Sequence, residues 1–151
     1  MIKIICLGKL KETYLKEAEK EYLKRLSKYT KIEIIELQDE SDNDINKALS
    51  KEKEKILKSI KAQDNPILLD INDKSYSSKE FATIIDKELT LNSNITFLIG
   101  SSNGFDKEIK DIIKKRMSFS NLTFPHQLFR IMLLEQIYRA FKIINNESYH
   151  K

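Results

Sequence analysis

The sequence predicts a single α/β domain, a sandwich built on a mostly parallel β-sheet. Short apolar runs of strand length alternate along the chain with longer amphipathic segments suited to helices. Strands that are separated by helices pair in parallel through crossover connections. The most informative stretch is 95–104, where an apolar run ends abruptly in a turn containing two of the three glycines, Gly100 and Gly104. At 151 residues, the chain 1-151 is expected to be one domain.

The first part of the chain predicts two strands and two helices. Residues 2–7 form a mostly apolar strand, and Gly8 then allows a turn. Apolar residues recur at helical spacing over 11–29, and a second strand follows at 32–37. The helix predicted at 44–61 carries only a thin apolar stripe among many lysines. Two interpretations stay open for it: a solvated helix held by ion pairs at i,i+4 spacing, or a basic surface for RNA phosphates.

The middle of the chain predicts a strand, a helix and a second strand. The run 67–71, apolar except for Asp70, suits a strand covered on both faces. The sequence Ser-Ser-Lys-Glu at 77–80 is a capping box. The helix that it begins is expected to bury Phe81, Ile84, Ile85 and Leu89. The strand at 95–99 then leads into the glycine turn, which lies where open α/β sheets bind ligands. The alternative is that the two glycines only make a tight turn.

The last part of the chain predicts two helices joined by an irregular segment. A charged helix is expected at 106–115, and residues 117–126 begin with strand-like alternation before becoming irregular. Pro125 suits the first turn of the helix that follows at 126–145. Apolar residues surround that helix almost completely, which indicates burial on more than one side. Homodimerisation through the helix explains this most simply, and burial within one subunit is the alternative.

Composition excludes several classes of protein. Hydrophobic residues make up 40% and charged residues 33% of the chain, and no apolar run approaches the roughly 20 residues of a membrane span. The amino terminus lacks the features of a signal peptide. The single cysteine, Cys6, cannot form an internal disulfide, and no cluster of cysteine or histidine predicts a metal site. We therefore expect a cytoplasmic protein with no metal and no membrane association.

The glycine count excludes two nucleotide-binding motifs. Gly8, Gly100 and Gly104 are the only glycines, so neither the dinucleotide fingerprint nor the P-loop motif can be present. A net charge of +4 and a pI near 9.0 permit nucleic-acid binding but do not establish it.

Polar residues near the carboxyl terminus are candidates for chemistry. Arg130, Glu135 and Arg139 interrupt an otherwise apolar helix, so each charge must be paired or face a cleft. An ion pair between Glu135 and Arg139 is the simpler explanation. The tail ends in Tyr149, His150 and Lys151. Although chain ends usually fray, these side chains could stack on a base, move a proton and hold a phosphate.

Four ordered blocks of sequence resemble the large-subunit ribosomal RNA methyltransferase H family. The blocks are Leu-Ile-Gly-Ser-Ser-Asn-Gly at 98–104, Ser-Phe-Ser-Asn-Leu-Thr-Phe-Pro-His at 118–126, Arg130 with residues 135–143, and the terminal Tyr-His-Lys. This resemblance implies a SPOUT-type fold with a deep trefoil knot near the carboxyl terminus, a homodimer, and S-adenosylmethionine as methyl donor. It also implies a function, methylation of N3 of a pseudouridine in helix 69 of 23S rRNA in the ribosome.

The resemblance also assigns site residues. Cofactor-binding positions map to Leu69, Gly100, Phe119, Ser120, Asn121, Leu122, Thr123 and Phe124. We expect Tyr149, His150 and Lys151 to reach the target base. Proton loss from N3 is then assisted by His150 or a nearby carboxylate. Arg130 and Arg139 are expected to hold RNA phosphates or charge that develops on the base.

Two positions depart from the family pattern. Ser101 stands where the family commonly has a second glycine, and Asp73 stands where it often has glycine before lysine. Ser101 could place a hydroxyl near the cofactor. Two other functions fit the same residues: a ribosome-associated RNA-binding protein without catalysis, and a SPOUT enzyme acting on another RNA.

Overall fold

A computed structural model describes residues 1–151, with five strands and five helices. In chain order the elements are β1 (Ile2–Leu7), α1 (Thr13–Leu26), β2 (Ile32–Leu37), α2 (Ile45–Ser59), β3 (Pro66–Leu69), α3 (Ser78–Asn92), β4 (Ile95–Ile99), α4 (Lys107–Ile112), β5 (Arg116–Met117) and α5 (His126–Ile144). None of the helices is both long and apolar enough to cross a bilayer.

The five strands form one sheet in the order β2-β1-β4-β3-β5, and every neighbouring pair is parallel. The prediction of a parallel α/β arrangement is confirmed. β4 lies at the centre, and all five of its residues are buried, as expected for a strand covered on both faces. Because the strands are parallel, the loops that follow β1, β3 and β4 meet at one edge of the sheet.

Helices cover both faces of the sheet. On one face, α1, α3 and α5 pack against the larger core, which contains Ile4, Phe97 and Leu133. On the other face, α2 and α4 contribute Ile56 and Ile109 to a smaller core. Side chains of a strand alternate between the two faces, so β4 supplies residues to both cores.

Strand positions were predicted more accurately than helix ends. The structure begins α1 at Thr13 and ends it at Leu26, inside the predicted range 11–29. It ends α4 at Ile112, because Arg116 and Met117 extend to pair with β3. The capping box of α3 is confirmed. In it, the Glu80 N–H donates to Ser77 Oγ, and the Ser77 N–H donates to Glu80 Oε2.

The structure accounts for the broad apolar surface of α5 within one subunit. This helix lies against both α1 and α3, and it buries Ile131, Leu133, Leu134, Ile137, Ala140 and Phe141. Leu128 is the large apolar side chain of α5 that stays exposed. The prediction of burial on more than one side is therefore confirmed without a second subunit.

The lysines of α2 form ion pairs with other parts of the chain. Lys53 pairs with Glu108 of α4, Lys51 with Asp42, and Lys55 with Glu40. The pairs predicted at i,i+4 spacing inside this helix are not present, because the neighbouring loop and α4 supply the carboxylates instead. These contacts attach α2 to the rest of the molecule although its apolar stripe is thin.

Candidate cofactor pocket and C-terminal cluster

A cavity of about 190 Å³ opens at the carboxyl edge of the sheet. Its walls come from the loops after β3 and β4 and from the irregular segment 118–126. Seven of the eight predicted cofactor positions line it, namely Leu69, Gly100, Phe119, Ser120, Leu122, Thr123 and Phe124. Asn121 is exposed and does not line the cavity. Residues that are far apart in the sequence are thus brought to one place by the parallel sheet.

The turn after β4 requires glycine at two positions. The Gly104 N–H donates to the Ser101 carbonyl oxygen at 2.9 Å, which closes the turn. A Cβ atom at Gly100 would lie 2.7 Å from the Gly104 carbonyl oxygen, too close for any side chain. Gly104 has a φ of +78°, a conformation that side chains disfavour. The two glycines therefore allow the two ends of the turn 100–104 to approach closely at the wall of the cavity.

Short hydrogen bonds hold the segment 118–124 in its irregular shape. Ser118 Oγ donates to the Ser120 carbonyl oxygen at 2.9 Å, and Ser120 Oγ accepts from the Leu122 N–H at 3.0 Å. The Phe119 ring packs between Phe81 of α3 and Phe129 of α5, with centroids at 5.5 and 5.1 Å. Hydrogen bonds of the serine hydroxyls take the place of the backbone hydrogen bonds that a strand would make. The segment therefore has a defined conformation and forms one wall of the cavity although it is not a strand.

Two chemistry-bearing residues of the cavity were not predicted. Asp70 directly follows β3, and its Oδ2 lies 2.8 Å from Lys110 Nζ in a nearly buried ion pair. His126 begins α5, and its ring packs so closely on Gly8 that a Cβ there would lie 2.9 Å from Nε2. The sequence predicts a strand over 67–71 that contains Asp70, whereas the structure ends β3 at Leu69. His126 ends the block 118–126 of the family resemblance, but its packing against Gly8 could not be predicted because the two residues lie far apart along the chain.

A second cavity of about 260 Å³ shares four residues of the first, Ser118, Phe119, Ser120 and Phe124. Its other walls come from the start of α3 and from α5, and they include Tyr76, Met132, Glu135 and Gln136. The shared segment thus separates the predicted cofactor cavity from a space that ends at the Glu135 carboxylate.

The structure gathers Tyr149, His150 and Arg139 around Glu135. The Tyr149 hydroxyl donates to Glu135 Oε1 at 3.1 Å, and Arg139 Nη2 donates to the same oxygen at 2.6 Å. The Arg139 guanidinium lies 4.8 Å from the centre of the Tyr149 ring, and Nη1 is 3.2 Å from His150 Nδ1. Burial, together with the Glu135 charge, raises the pKa of the Tyr149 hydroxyl. The expected Glu135 to Arg139 ion pair is confirmed, and it lies inside one subunit.

The tail is held in place by Glu147. Its Oε2 accepts from Lys142 Nζ at 2.6 Å and from the Tyr29 hydroxyl at 2.7 Å. These bonds, with Lys142 first, hold the pKa of Glu147 at about 2, below its ordinary value of 4.5. Lys151 is exposed beyond this anchor. The expectation that chain ends fray does not apply to residues 145–150, because charged hydrogen bonds order them.

Arg130 lies apart from both cavities. Its side chain is 3% exposed, and Nη1 contacts Glu19 Oε2 at 3.1 Å and Glu36 Oε2 at 2.8 Å. Nη2 donates to the Gly8 carbonyl oxygen at 3.0 Å. This geometry favours a structural role over the predicted contact with RNA, because the side chain is buried and both Nη1 and Nη2 already donate hydrogen bonds within the chain. The nearby Cys6 is also not a nucleophile, since burial raises the pKa of its thiol to about 12.

The predicted catalytic residues do not line the cavity formed by the predicted cofactor positions. Tyr149 and His150 of the tail cluster with Arg139 of α5, and this cluster reaches the second cavity only through Glu135. In a single subunit the cofactor positions and the tail residues are therefore two neighbouring groups, not one site.

A family model and several relatives of known name match this chain over nearly its whole length. A family model described as "Predicted SPOUT methyltransferase" matches residues 1–150. The chain is 51% identical to "Ribosomal RNA large subunit methyltransferase H" of Caldicellulosiruptor saccharolyticus over the whole length of both proteins. It is 51% identical to the protein of the same name from Clostridium botulinum, over 99% of each chain. A protein of Methanococcus maripaludis named "Putative ribosomal RNA large subunit methyltransferase H" is 49% identical, again over 99% of each. The chain belongs to the SPOUT methyltransferases, and within them to the ribosomal RNA large subunit methyltransferase H family.

Proposed function

We propose that this protein transfers a methyl group from S-adenosylmethionine to large-subunit ribosomal RNA. The specific product is N3-methylpseudouridine in helix 69 of 23S rRNA. The observation that carries the proposal is the convergence of seven predicted cofactor positions on one cavity at the carboxyl edge of the sheet. Membership of the family supports the reaction class, and the relatives' names support the RNA.

The residues of the cavity fit this cofactor. S-adenosylmethionine has no phosphate, so a pocket without a glycine-rich phosphate loop is suitable. Phe119, Phe124 and Leu69 offer apolar surface for the adenine, and the turn at Gly100 offers backbone groups without side chains in the way. When bound, the cofactor supplies an electrophilic methyl group on a sulfonium. The chain's part is to hold the donor and acceptor in line.

The cluster around Glu135 supports a role in binding the base and removing its proton. Tyr149 offers an aromatic face, and His150 or the Glu135 carboxylate is placed to accept the N3 proton. Arg139 and Lys151 supply positive charge for the RNA phosphates or for the base as its proton leaves. Both carboxylate oxygens of Glu135 already accept hydrogen bonds, from Arg139, Tyr149 and Gln136. Arg139 in turn donates to His150 Nδ1, so either group must release a hydrogen bond before it takes the proton.

A homodimer would resolve the separation between the tail and the cofactor cavity. We propose that the tail of one subunit binds the target base beside the cofactor cavity of the other, and that the segment before α5 forms the trefoil knot of the SPOUT fold. Mixed dimers test the first point. Subunits lacking residues 149–151 and subunits carrying Gly100→Ala are each expected to be inactive alone and to regain activity when mixed. Mixing without recovery would place the tail's action within its own subunit.

Calorimetric titration tests the proposal against its rival. We expect S-adenosylhomocysteine, the product form of the cofactor, to bind the free protein at one site per chain. An RNA-binding protein without catalysis would show no binding. If the cofactor binds but ribosomes accept no methyl group, an enzyme acting on another RNA is favoured.

A further inference from the structure

Glu52 of α2 is a buried carboxylate with no cationic partner. It is 2% exposed, and its oxygens accept from the Glu40 N–H at 3.0 Å and from the Ser101 hydroxyl at 2.9 Å. The lysines beside it pair elsewhere, Lys51 with Asp42 and Lys53 with Glu108. Burying a carboxylate costs free energy unless its oxygens are hydrogen-bonded, so these two donors are needed to keep Glu52 inside.

One of the two donors belongs to the cofactor cavity. Ser101 lines the cavity, and its carbonyl oxygen accepts the hydrogen bond that closes the turn to Gly104. The same turn leaves no space for a side chain at Gly100, where an added Cβ would lie 2.7 Å from the Gly104 carbonyl oxygen. A change in the position of Ser101 must therefore move the wall of the cavity.

We propose that Glu52 is a positioning residue for the cofactor cavity. By accepting the hydrogen bond of the Ser101 hydroxyl, Glu52 fixes the turn 100–104 in the conformation that binds the ligand. Less conformational entropy is then lost when the ligand binds. This gives α2 a role that its sparse apolar stripe did not indicate. The inference rests on the proposed function, because it takes S-adenosylmethionine and its product as the ligands of the cavity.

The test is calorimetric titration of the full-length protein with S-adenosylhomocysteine. Glu52→Leu removes both acceptor oxygens from this buried position, and Ser101→Ala removes the hydroxyl while leaving α2 unchanged. Each variant is expected to bind about fivefold more weakly, as for the loss of one hydrogen bond. The double variant is expected to bind no more weakly than about fivefold, because both changes remove the same contact.

Lys51→Gln is the matched control. It breaks an ion pair at the adjacent position of the same helix but does not touch the turn, so its dissociation constant should equal that of the wild type. Thermal unfolding of each variant separates loss of stability from loss of affinity. Wild-type affinity in Ser101→Ala, or multiplied losses in the double variant, would overturn the inference while leaving the proposed function intact. If the wild-type protein did not bind S-adenosylhomocysteine, both the inference on Glu52 and the proposed function would be contradicted.

Discussion

Gly100 and Gly104 stand four residues apart in the turn after β4, and they are required for different reasons. At Gly100 the obstacle is space, because a Cβ would lie 2.7 Å from the Gly104 carbonyl oxygen. At Gly104 nothing lies within 4 Å of an added Cβ, and the obstacle is its φ of +78°. The two positions therefore respond differently to the same substitution.

We expect Gly100→Ala to displace the turn and to abolish measurable binding of S-adenosylhomocysteine. Gly104→Ala should instead cost about 1 kcal/mol of stability through backbone strain and weaken binding less. Calorimetric titration and urea unfolding of both variants measure these effects. Equal affinity of Gly100→Ala and the wild type would show that the ligand does not contact this turn.

Glu147 predicts a pH dependence of stability. Its pKa is held at about 2 in the folded protein, below the ordinary value of 4.5. The stabilisation is therefore complete above pH 4.5 and is lost as the pH falls from 4.5 towards 2. Urea unfolding should show a lower midpoint for Glu147→Gln than for the wild type at pH 7, and the difference should shrink at pH 3. A constant difference at both pH values would contradict the assignment.

At the scale of elements, Arg130 connects α5 to three other parts of the fold. It contacts Glu19 of α1, Glu36 of β2 and the Gly8 carbonyl oxygen after β1. We expect Arg130→Ala to reduce the free energy of unfolding by about 2–3 kcal/mol, because it removes a buried side chain and its charge-assisted hydrogen bonds, while the carboxylates left behind are partly exposed to water. Arg25→Ala, at an exposed ion pair of α1, is the control and should change it little. A stable Arg130→Ala protein that no longer methylates RNA would instead support the predicted contact with RNA.

The elements also show what could be read from the sequence. Apolar-rich runs placed β1, β2 and β4 correctly: the inner strands β1 and β4 are buried throughout, and the edge strand β2 mixes apolar residues with two glutamates. The end of α4 was missed, since pairing of Arg116 and Met117 with β3 is a long-range effect. The ion-pair partners of Arg130 could not be predicted for the same reason, because Glu19 and Glu36 lie about a hundred residues away. Strand ends and family motifs predicted seven residues that line one cavity, whereas the contact of His126 with Gly8 depended on packing.

For the whole molecule, the tail and the cofactor cavity are expected to have separable functions. Deletion of residues 149–151 should abolish methylation and leave the affinity for S-adenosylhomocysteine unchanged, since these residues do not line the cavity. The anchor at Glu147 remains in this variant, so the fold should be retained. Methyl-transfer assays and calorimetry on the same preparation measure both properties. Full activity after the deletion would remove the tail from the mechanism.

The most direct test of the whole account is transfer of a labelled methyl group from S-adenosylmethionine to ribosomes from a strain that lacks this gene, followed by mapping of the label. We predict that the wild-type protein labels one pseudouridine in helix 69 of 23S rRNA and that Gly100→Ala labels none. Absence of label with the wild-type protein, or label in another RNA, would contradict the proposed reaction.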